Sequence, residues 1–275
     1  MPMKKVSIRY RQVIPEARRV VVKIGSRVLV QKTGRPDMRC MQSLTSEIAG
    51  LMDAGYEVAV VTSGAVGAGM EALGMKRRPE SLPEMQKAAA VGQARLMASY
   101  GELFGQRGYR AGQVLLTHAD FQHKVRMTNA RRTMDSLIRN RVIPVINEND
   151  VVADEEIRAG LSLGDNDNLA SLVAKLIRAD VLILLTTVDG LREDVSGGRT
   201  RRVRYVESVN RSVYALVKDE SGGISKGGMK TKLKAAAAVA RAGCCAVIAN
   251  GRKRGVLSSI MAGEDTGTLI VASAV

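Results

Sequence analysis

The sequence has few aromatic residues and few cysteines. Its 275 residues include no tryptophan, two phenylalanines and six tyrosines. Because proteins bind single-stranded nucleic acids largely by stacking bases on aromatic side chains, binding of this kind is disfavoured. The three cysteines, at positions 40, 244 and 245, match neither a disulfide framework nor a metal-ligand pattern. A reducing, cytoplasmic compartment is therefore expected.

Long apolar segments and two common nucleotide-binding motifs are also missing. No apolar run approaches the roughly 20 residues of a membrane-spanning helix, so no membrane association is expected. Neither GxxxxGK[ST] nor a GxGxxG run after the first predicted strand occurs, which disfavours P-loop kinases and dinucleotide-dependent dehydrogenases. His118 and His123 are five residues apart and do not share a helix face, so we assign no metal site.

Positive charge is in excess. Lys and Arg number 42 against 27 Asp and Glu, which gives a formal net charge of +15. This charge favours association with phosphates, carboxylates, nucleic acids or membrane surfaces, without distinguishing among them. The arginine-rich stretches are scattered along the chain, which is typical of solvated faces and loops.

Apolar segments with strand character alternate with segments of helical periodicity. The predicted strands are Val20–Ile24, Val58–Val61, Val114–Leu116, Val142–Ile146, Val181–Leu185 and Ala246–Ala249. The predicted helices are Ser43–Ala54, Glu84–Phe104, Arg131–Asn140, Leu169–Arg178 and Lys230–Ala242. This alternation predicts a three-layer α/β/α sandwich with a mainly parallel central sheet. We expect one domain over residues 1–275, with a lobe boundary near residues 159–163 and an exposed loop or hairpin at 193–202.

Small and polar residues follow several predicted strands. These segments are Gly25-Ser26, Thr62 to Ala65, Asn147 to Asp150 and Thr186-Thr187, and a further polar run covers residues 164–168. Ligands of open parallel sheets bind beyond the carboxyl ends of the strands. The sequence therefore predicts one crevice that binds a small polar molecule.

Two features within this pattern indicate an anion. Lys23 lies inside an apolar strand, where a lysine is costly unless it faces an anion or a carboxylate. Gly25 follows closely and would let backbone amides approach a phosphate. A late glycine-rich segment, Lys226 to Lys232, opens a predicted helix and suits the phosphate tail of a nucleotide.

Taken in order, these segments resemble the amino acid kinase family, and in particular its members that phosphorylate L-glutamate. The matching segments extend over nearly the whole chain: residues 21–26, 61–65, 90–93, 144–150, 164–169, 227–229 and 231–232. No one segment is decisive, but the ordered set is highly specific.

The resemblance implies transfer of the ATP γ-phosphate to the side-chain carboxylate of L-glutamate, giving L-glutamyl 5-phosphate, the first step of proline biosynthesis. It assigns catalysis to Lys23, Asp167 and Lys232, with Asp167 orienting the two lysines. Glutamate would be held by Ser63, Gly64, Asp150 and Asn166. ATP would contact Lys23, Gly25, Ser26, Thr186, Thr187, Lys226, Gly227, Gly228, Met229, Lys230, Thr231 and Lys232. Mg²⁺ would be bound chiefly by nucleotide oxygens and water, so no protein ligand is assigned.

The resemblance has further implications and some departures. An acceptor-substrate lobe at 1–160 and a nucleotide lobe at 161–275 are expected, as are a homodimer or homotetramer and feedback inhibition by proline. Thr187 stands where the family usually has aspartate, and Lys226 where it often has threonine. The loop at 151–163 is longer than in common bacterial members, and the chain ends before the RNA-binding-like PUA module of many of them could begin.

Two alternatives remain open. One is a kinase of this fold acting on another small carboxylate, carbamate or phosphate, because fold does not determine substrate. The residues that would distinguish it are Ser63, Asp150 and Asn166. The other is a non-catalytic nucleotide- or RNA-binding regulator, which the net charge of +15 suggests. The presence of both lysines and Asp167 disfavours this second alternative.

Overall fold

The central feature of the fold is an eight-stranded sheet. The computed structural model describes residues 11–31, 36–152, 166–195, 199–217 and 228–273. The strands are β1 Arg19–Ile24, β2 Glu57–Val61, β3 Arg110–Leu116, β4 Val142–Glu148, β5 Val181–Thr186, β6 Arg192–Val195, β7 Arg199–Arg202, β8 Tyr205–Val206, β9 Cys245–Asn250 and β10 Thr268–Ile270. The sheet order is β3-β4-β2-β1-β5-β9-β10-β8, and β6 and β7 form a separate antiparallel pair.

Six adjacent strands of the sheet run parallel. The pairs β3–β4, β4–β2, β2–β1, β1–β5 and β5–β9 are all parallel, whereas β10 runs antiparallel to β9. The carboxyl ends of the six strands therefore lie along one edge of the sheet. The predicted mainly parallel sheet is confirmed, and the segments that follow these strands begin along that same edge.

Helices cover both faces of this sheet. They are α1 Ser26–Leu29, α2 Met38–Asp53, α3 Ala65–Ala72, α4 Leu82–Gly105, α5 His118–Gln122, α6 Lys124–Arg139, α7 Asn166–Leu176, α8 Arg211–Ala215, α9 Met229–Ala240 and α10 Val256–Met261. Helices α2, α4 and α10 bury their apolar side chains with Val20 and Val22 of β1. Helices α6, α7 and α9 pack on the opposite face with Val21. This arrangement confirms the three-layer α/β/α sandwich.

Every predicted strand and helix is present, although several begin earlier than predicted. Helix α6 begins at Lys124 rather than Arg131, because its first two turns are mostly polar and lack an apolar stripe. Strand β3 begins at Arg110 and forms one edge of the sheet, where half-exposed polar residues are tolerated. The β6–β7 pair confirms the hairpin predicted near residues 193–202.

Two further expectations concern the lobe boundary and membranes. The boundary near residues 159–163 lies outside the described residues. Within the described part of the chain, no helix combines the length and apolar character needed to cross a membrane.

Candidate active site

Two buried lysines share one buried carboxylate at the carboxyl edge of the sheet. Lys23 Nζ lies 2.7 Å from Asp167 Oδ1, and Lys232 Nζ lies 3.0 Å from Asp167 Oδ2. Their exposed fractions are 5% for Lys23, 1% for Asp167 and 6% for Lys232. The structure thus brings together the three residues to which the family resemblance assigned catalysis.

The strand and helix periods explain how these residues meet. Val21 packs with the α7 and α9 side of the sheet, and Lys23 points the same way because side chains alternate along a strand. Asp167 lies in the first turn of α7, and Lys232 lies in the first turn of α9. Thr231 adds a hydrogen bond from Oγ1 to Asp167 Oδ2, at 2.8 Å.

The charges of this cluster favour an anion. Burial acts to raise the pKa of Asp167, but the charges and hydrogen bonds of Lys23 and Lys232 outweigh burial and hold the pKa below its usual value. Asp167 is therefore ionised, and the three side chains together have a net charge of about +1. A phosphate group placed beside the lysines would be attracted by their positive charge.

A chain of amide side chains forms a second cluster beside the first. Asn166 Nδ2 lies 2.7 Å from Thr62 O, 2.8 Å from Ser63 Oγ and 3.1 Å from Asn147 Oδ1. Asn147 Nδ2 in turn donates to Gln93 Oε1 at 2.8 Å. Since Asn166 and Asp167 are consecutive, the amide cluster and the lysine cluster meet at the start of α7.

Asp150 lies next to the amide cluster along the chain. It begins the 3-10 helix Asp150–Val152, just after β4, and α4 packs against this helix. Partial burial and the nearby charge of Glu148 raise the pKa of Asp150 to about 7, although the charge of Arg78 partly offsets this shift. A cationic group beside Asp150 would favour its carboxylate form.

Helices α3 and α4 approach each other closely at Ala65 and Gly92, next in sequence to the Ser63–Gly64 turn and to Gln93. A Cβ atom on Gly92 of α4 would lie 1.7 Å from Ala65 O, and one on Gly69 of α3 would lie 1.7 Å from Ala88 O. Only glycine permits such backbone contact. Gly64, which precedes α3, has a φ of 108° and is also suited to glycine, because the turn from β2 into α3 requires the left-handed region.

The predicted ATP residues that the structure describes lie at strand ends and at the start of α9. A Cβ atom on Gly25 would be 3.6 Å from Lys23 Nζ, so this backbone lies beside the lysine ammonium. Ser26 begins α1 and is exposed, Thr186 ends β5, and Thr187 directly follows that strand. Gly228 is the residue before α9, and its carbonyl accepts a hydrogen bond from Thr231 Oγ1.

The structure describes only part of the remaining glycine-rich segment, Lys226 to Lys232. Met229 and Lys230 open α9, where Lys230 is exposed. Lys226 and Gly227 lie outside the described residues, so their predicted contact with ATP stays a prediction.

Sequence reasoning did not assign Gln93 to the site. It is 9% exposed, and it lies on the same buried face of α4 as Ala89, Leu96 and Tyr100. The available signal was a polar side chain at this helical spacing within an otherwise apolar face. Asn147 was noted within a polar run, but its contacts with Gln93 and Asn166 required the fold.

The family model described as the amino acid kinase family matches residues 18–250. The chain belongs to the amino acid kinase family. Glutamate 5-kinase of Moorella thermoacetica is 42% identical over 263 residues, and that of Chromohalobacter salexigens is 44% identical over 262 residues. Both matches cover 95% of this chain and 68% of the relative. The resemblance stated from the sequence is therefore confirmed at the level of the family.

Solved structures extend the comparison to the fold of this amino acid kinase. Carbamate kinase from Giardia lamblia, solved with AMP-PNP bound, aligns with a TM-score of 0.64 at 19% identity, over 94% of this chain and 100% of that chain. UMP kinase from Bacillus anthracis aligns with a TM-score of 0.60 at 17% identity, over 94% and 97%. At these identities the likeness establishes the fold alone.

Proposed function

We propose that this amino acid kinase transfers the γ-phosphoryl group of ATP to the side-chain carboxylate of L-glutamate, as a glutamate 5-kinase does. The product is L-glutamyl 5-phosphate, and the reaction is the first step of proline biosynthesis. The observation that supports this proposal most directly is the buried cluster of Lys23, Asp167 and Lys232 beside the Ser63–Asn166 pair. The identity of 42% to 44% with glutamate 5-kinases agrees with it.

The two lysines provide the chemistry that phosphoryl transfer needs most. The transferring group requires alignment and compensation of its negative charge, and it requires little covalent chemistry from the protein. Lys23 and Lys232 approach one carboxylate from two elements, so Asp167 keeps both ammonium groups in place. In the proposed mechanism each lysine contacts the phosphoryl oxygens.

The acceptor needs no general base in this mechanism. A glutamate side chain has a pKa of about 4.3 and is already ionised at neutral pH. The Asp150 carboxylate would pair with the substrate ammonium, and the Ser63 hydroxyl and the Gly64 backbone would hold other polar groups of glutamate. Asn166 would complete this acceptor site from the first turn of α7.

The site fits Mg²⁺ that arrives with the nucleotide. Both oxygens of Asp167 contact lysine ammonium groups, at 2.7 and 3.0 Å, so this carboxylate is already occupied. ATP oxygens and water would therefore be the main ligands of the ion, which when bound neutralises charge on the phosphates.

The nucleotide would lie against the first turn of α9 and the end of β1. At the start of α9 the contacts would come from Gly228, Lys230 and Thr231. At the end of β1 they would come from Gly25, which lies beside Lys23. The N-terminus of a helix favours phosphate because its first amides are free to donate. Thr186, Thr187, Ser26 and Met229 complete the proposed ATP contacts, together with the predicted residues Lys226 and Gly227.

The deciding experiment measures ADP release from ATP and Mg²⁺ with L-glutamate. Aspartate, N-acetylglutamate, carbamate and UMP serve as competing acceptors, and Lys23→Ala is the control variant. Activity confined to glutamate and lost in Lys23→Ala is expected. Activity on another acceptor would support phosphoryl transfer but contradict L-glutamate as the substrate. Absence of ADP release with every acceptor, together with steeply salt-dependent RNA binding, would favour the non-catalytic nucleotide- or RNA-binding regulator instead.

Several finer properties belong to the same proposal. The chain is a cytoplasmic homodimer or homotetramer, with an acceptor lobe at 1–160 and a nucleotide lobe at 161–275, and proline inhibits it at the glutamate site. A monomeric mass in light scattering at micromolar concentration would contradict the assembly. Unchanged glutamate kinetics at millimolar proline would contradict the inhibition, and recovery in the membrane fraction of cells would contradict the location.

A further inference from the structure

The amide chain has a definite direction because a backbone carbonyl lies at one end. Thr62 O can only accept a hydrogen bond, so the amide of Asn166 must turn its Nδ2 toward it. The same Nδ2 lies 3.1 Å from Asn147, which must therefore present its Oδ1. Asn147 consequently turns its Nδ2 toward Gln93, which presents Oε1 at 2.8 Å. Each orientation follows from the preceding one.

This direction leaves one acceptor and one donor at the ends of the chain. Asn166 Oδ1 and Gln93 Nε2 are both buried, and neither has a hydrogen-bond partner among the described residues. A buried polar group without a partner costs roughly 1–3 kcal/mol. Buried groups of this kind in a native structure call for an explanation, such as a ligand that is absent.

The two ends match the chemistry of an amino acid. At neutral pH the ammonium group of glutamate can only donate hydrogen bonds, and its carboxylates can only accept them. An oriented amide oxygen therefore suits the ammonium, and an oriented amide nitrogen suits a carboxylate. We propose that Gln93 Nε2 donates a hydrogen bond to the α-carboxylate of the substrate, while Asn166 Oδ1 accepts a hydrogen bond from its ammonium group. This inference rests on the proposed function.

The packing of α4 places Gln93 within the acceptor site. Its neighbour Gly92 touches the backbone of α3 at Ala65, immediately after Ser63 and Gly64. Helix α4 also packs against the 3-10 helix that begins at Asp150. Gln93 thus lies on a helix that contacts both the segment after Ser63 and Gly64 and the 3-10 helix that begins at Asp150, where glutamate is expected to bind.

The test removes the hydrogen-bond donor of Gln93, its Nε2, and keeps an oxygen that can accept from Asn147. In Gln93→Glu one carboxylate oxygen still accepts from Asn147, while the other faces the substrate carboxylate without a proton to donate. The probes are L-glutamate as substrate, with 4-aminobutanoate and glutarate as competitors. The first competitor is glutamate without its α-carboxylate, and the second is glutamate without its ammonium.

We expect a selective loss in Gln93→Glu. The KM for L-glutamate and the inhibition constant for glutarate should both rise about tenfold or more, because a hydrogen bond to a charged group is lost. The inhibition constant for 4-aminobutanoate and the KM for ATP should change less than about twofold. The control Gln106→Glu, at the exposed residue that directly follows the same helix, should leave every constant unchanged.

Other outcomes would overturn the inference. An equal loss for all three compounds would show a general disturbance of the pocket, and unchanged glutamate kinetics would show that Gln93 makes no such contact. Gln93→Met, which removes donor and acceptor without adding charge, gives a second measurement and should show the same selectivity. If the unsubstituted protein fails to phosphorylate glutamate, the proposed function is what fails.

Discussion

Lys23 and Lys232 are 209 positions apart in the numbering and contact the same carboxylate. Burial of an ion costs several kcal/mol unless other charges and hydrogen bonds compensate it. Here two ammonium groups lie against one carboxylate, and in the proposed mechanism both contact the phosphoryl oxygens of ATP. The protein therefore has an electrostatic reason to bind an anion at this place.

Substitution of one lysine should separate activity from folding. Lys232→Met leaves Lys23 and Asp167 as a neutral pair, so the chain should remain folded. Turnover should fall by a factor of about 10²–10³, because one group that compensates the transferring phosphoryl charge is lost. The matched control is Lys234→Met, an exposed lysine two residues further along α9. Equal kcat values for the two variants in a steady-state assay would contradict the role of Lys232.

Removal of the shared carboxylate should lower the stability of the fold more than substitution of one lysine does. Asp167→Ala leaves two buried ammonium groups without their common partner, which is expected to destabilise the fold by about 3–5 kcal/mol. Urea unfolding measures this difference against Lys232→Met. A loss of stability no larger than that of Lys232→Met would mean that Asp167 does not hold the lysines in the folded protein.

Asp150 should make glutamate binding depend on pH. Its pKa is raised to about 7, and the substrate ammonium binds best to the carboxylate form. The KM for glutamate should therefore fall as pH rises from 6 to 8. In Asp150→Asn the KM should be about tenfold higher and should lose this pH dependence. Steady-state kinetics at constant ionic strength provide the test, and a KM that is independent of pH in both proteins would contradict it.

The same pKa also predicts how Asp150 affects folding without substrate. The folded-state pKa of about 7 exceeds the ordinary aspartate value of 3.8, so the folded chain binds the proton more tightly than the unfolded chain. This contribution to stability is fully present below about pH 4 and is lost as pH rises through about 7. Asp150→Asn should therefore unfold at a higher temperature than the parent at pH 8, with a smaller difference at pH 5.

At the scale of elements, the contact of α3 with α4 organises the acceptor site. The glycines at positions 69 and 92 let the two backbones touch. This contact holds α4, which carries Gln93, against the helix that directly follows the Ser63–Gly64 turn. Packing of the helices is therefore part of how the polar site is assembled.

Addition of one methyl group should test this contact. In Gly92→Ala the new Cβ would lie 1.7 Å from Ala65 O, so the helices must separate. We expect a loss of about 1–3 kcal/mol or more in the free energy of unfolding, together with a higher KM for glutamate. Gly101→Ala is the control, since its Cβ meets nothing within 4 Å on the same helix. That variant should gain about 0.5–1 kcal/mol from helix propensity, as measured by urea unfolding.

At the scale of the whole molecule, one arginine joins the two ends of the described chain. The Arg11 guanidinium donates to the carbonyls of Glu264, Thr266, Arg204 and Gly267 and lies 3.4 Å from Asp265. Its contacts span up to 256 positions in the sequence. Such long-range bonds form only when the complete sheet is assembled.

Arg11→Lys should lower the stability of the whole protein. A lysine ammonium is a compact charge that cannot reproduce the forked geometry of a guanidinium. Loss of even one charged hydrogen bond should cost about 2 kcal/mol, or about 4–8 °C in the melting temperature. The control is Arg18→Lys, whose side chain is 80% exposed. Differential scanning calorimetry should show a shift in the first variant and little in the second.

Different features of the protein could be predicted from the sequence to different degrees. Apolar runs such as Val20–Ile24 predicted the strands because their periodicity is local. The beginning of α6 and the short strands β8 and β10 were missed, because polar turns and two- or three-residue strands have little local signal. Lys23 was singled out from the residues themselves, whereas Asp167 and Lys232 were paired with it only through the family resemblance.

The sequence by itself determined the alternation of strands and helices, the mainly parallel sheet and the family of this protein, since these depend on local periodicity and ordered motifs. Only the tertiary structure decided which polar atoms meet. Gln93 joined the site because the contact at Gly92 brings α4 against α3, and the amide chain acquired its direction from the Thr62 carbonyl. A hydrogen bond forms only when donor and acceptor are placed to within a few tenths of an ångström, and local sequence patterns do not determine the distance between residues far apart in the chain.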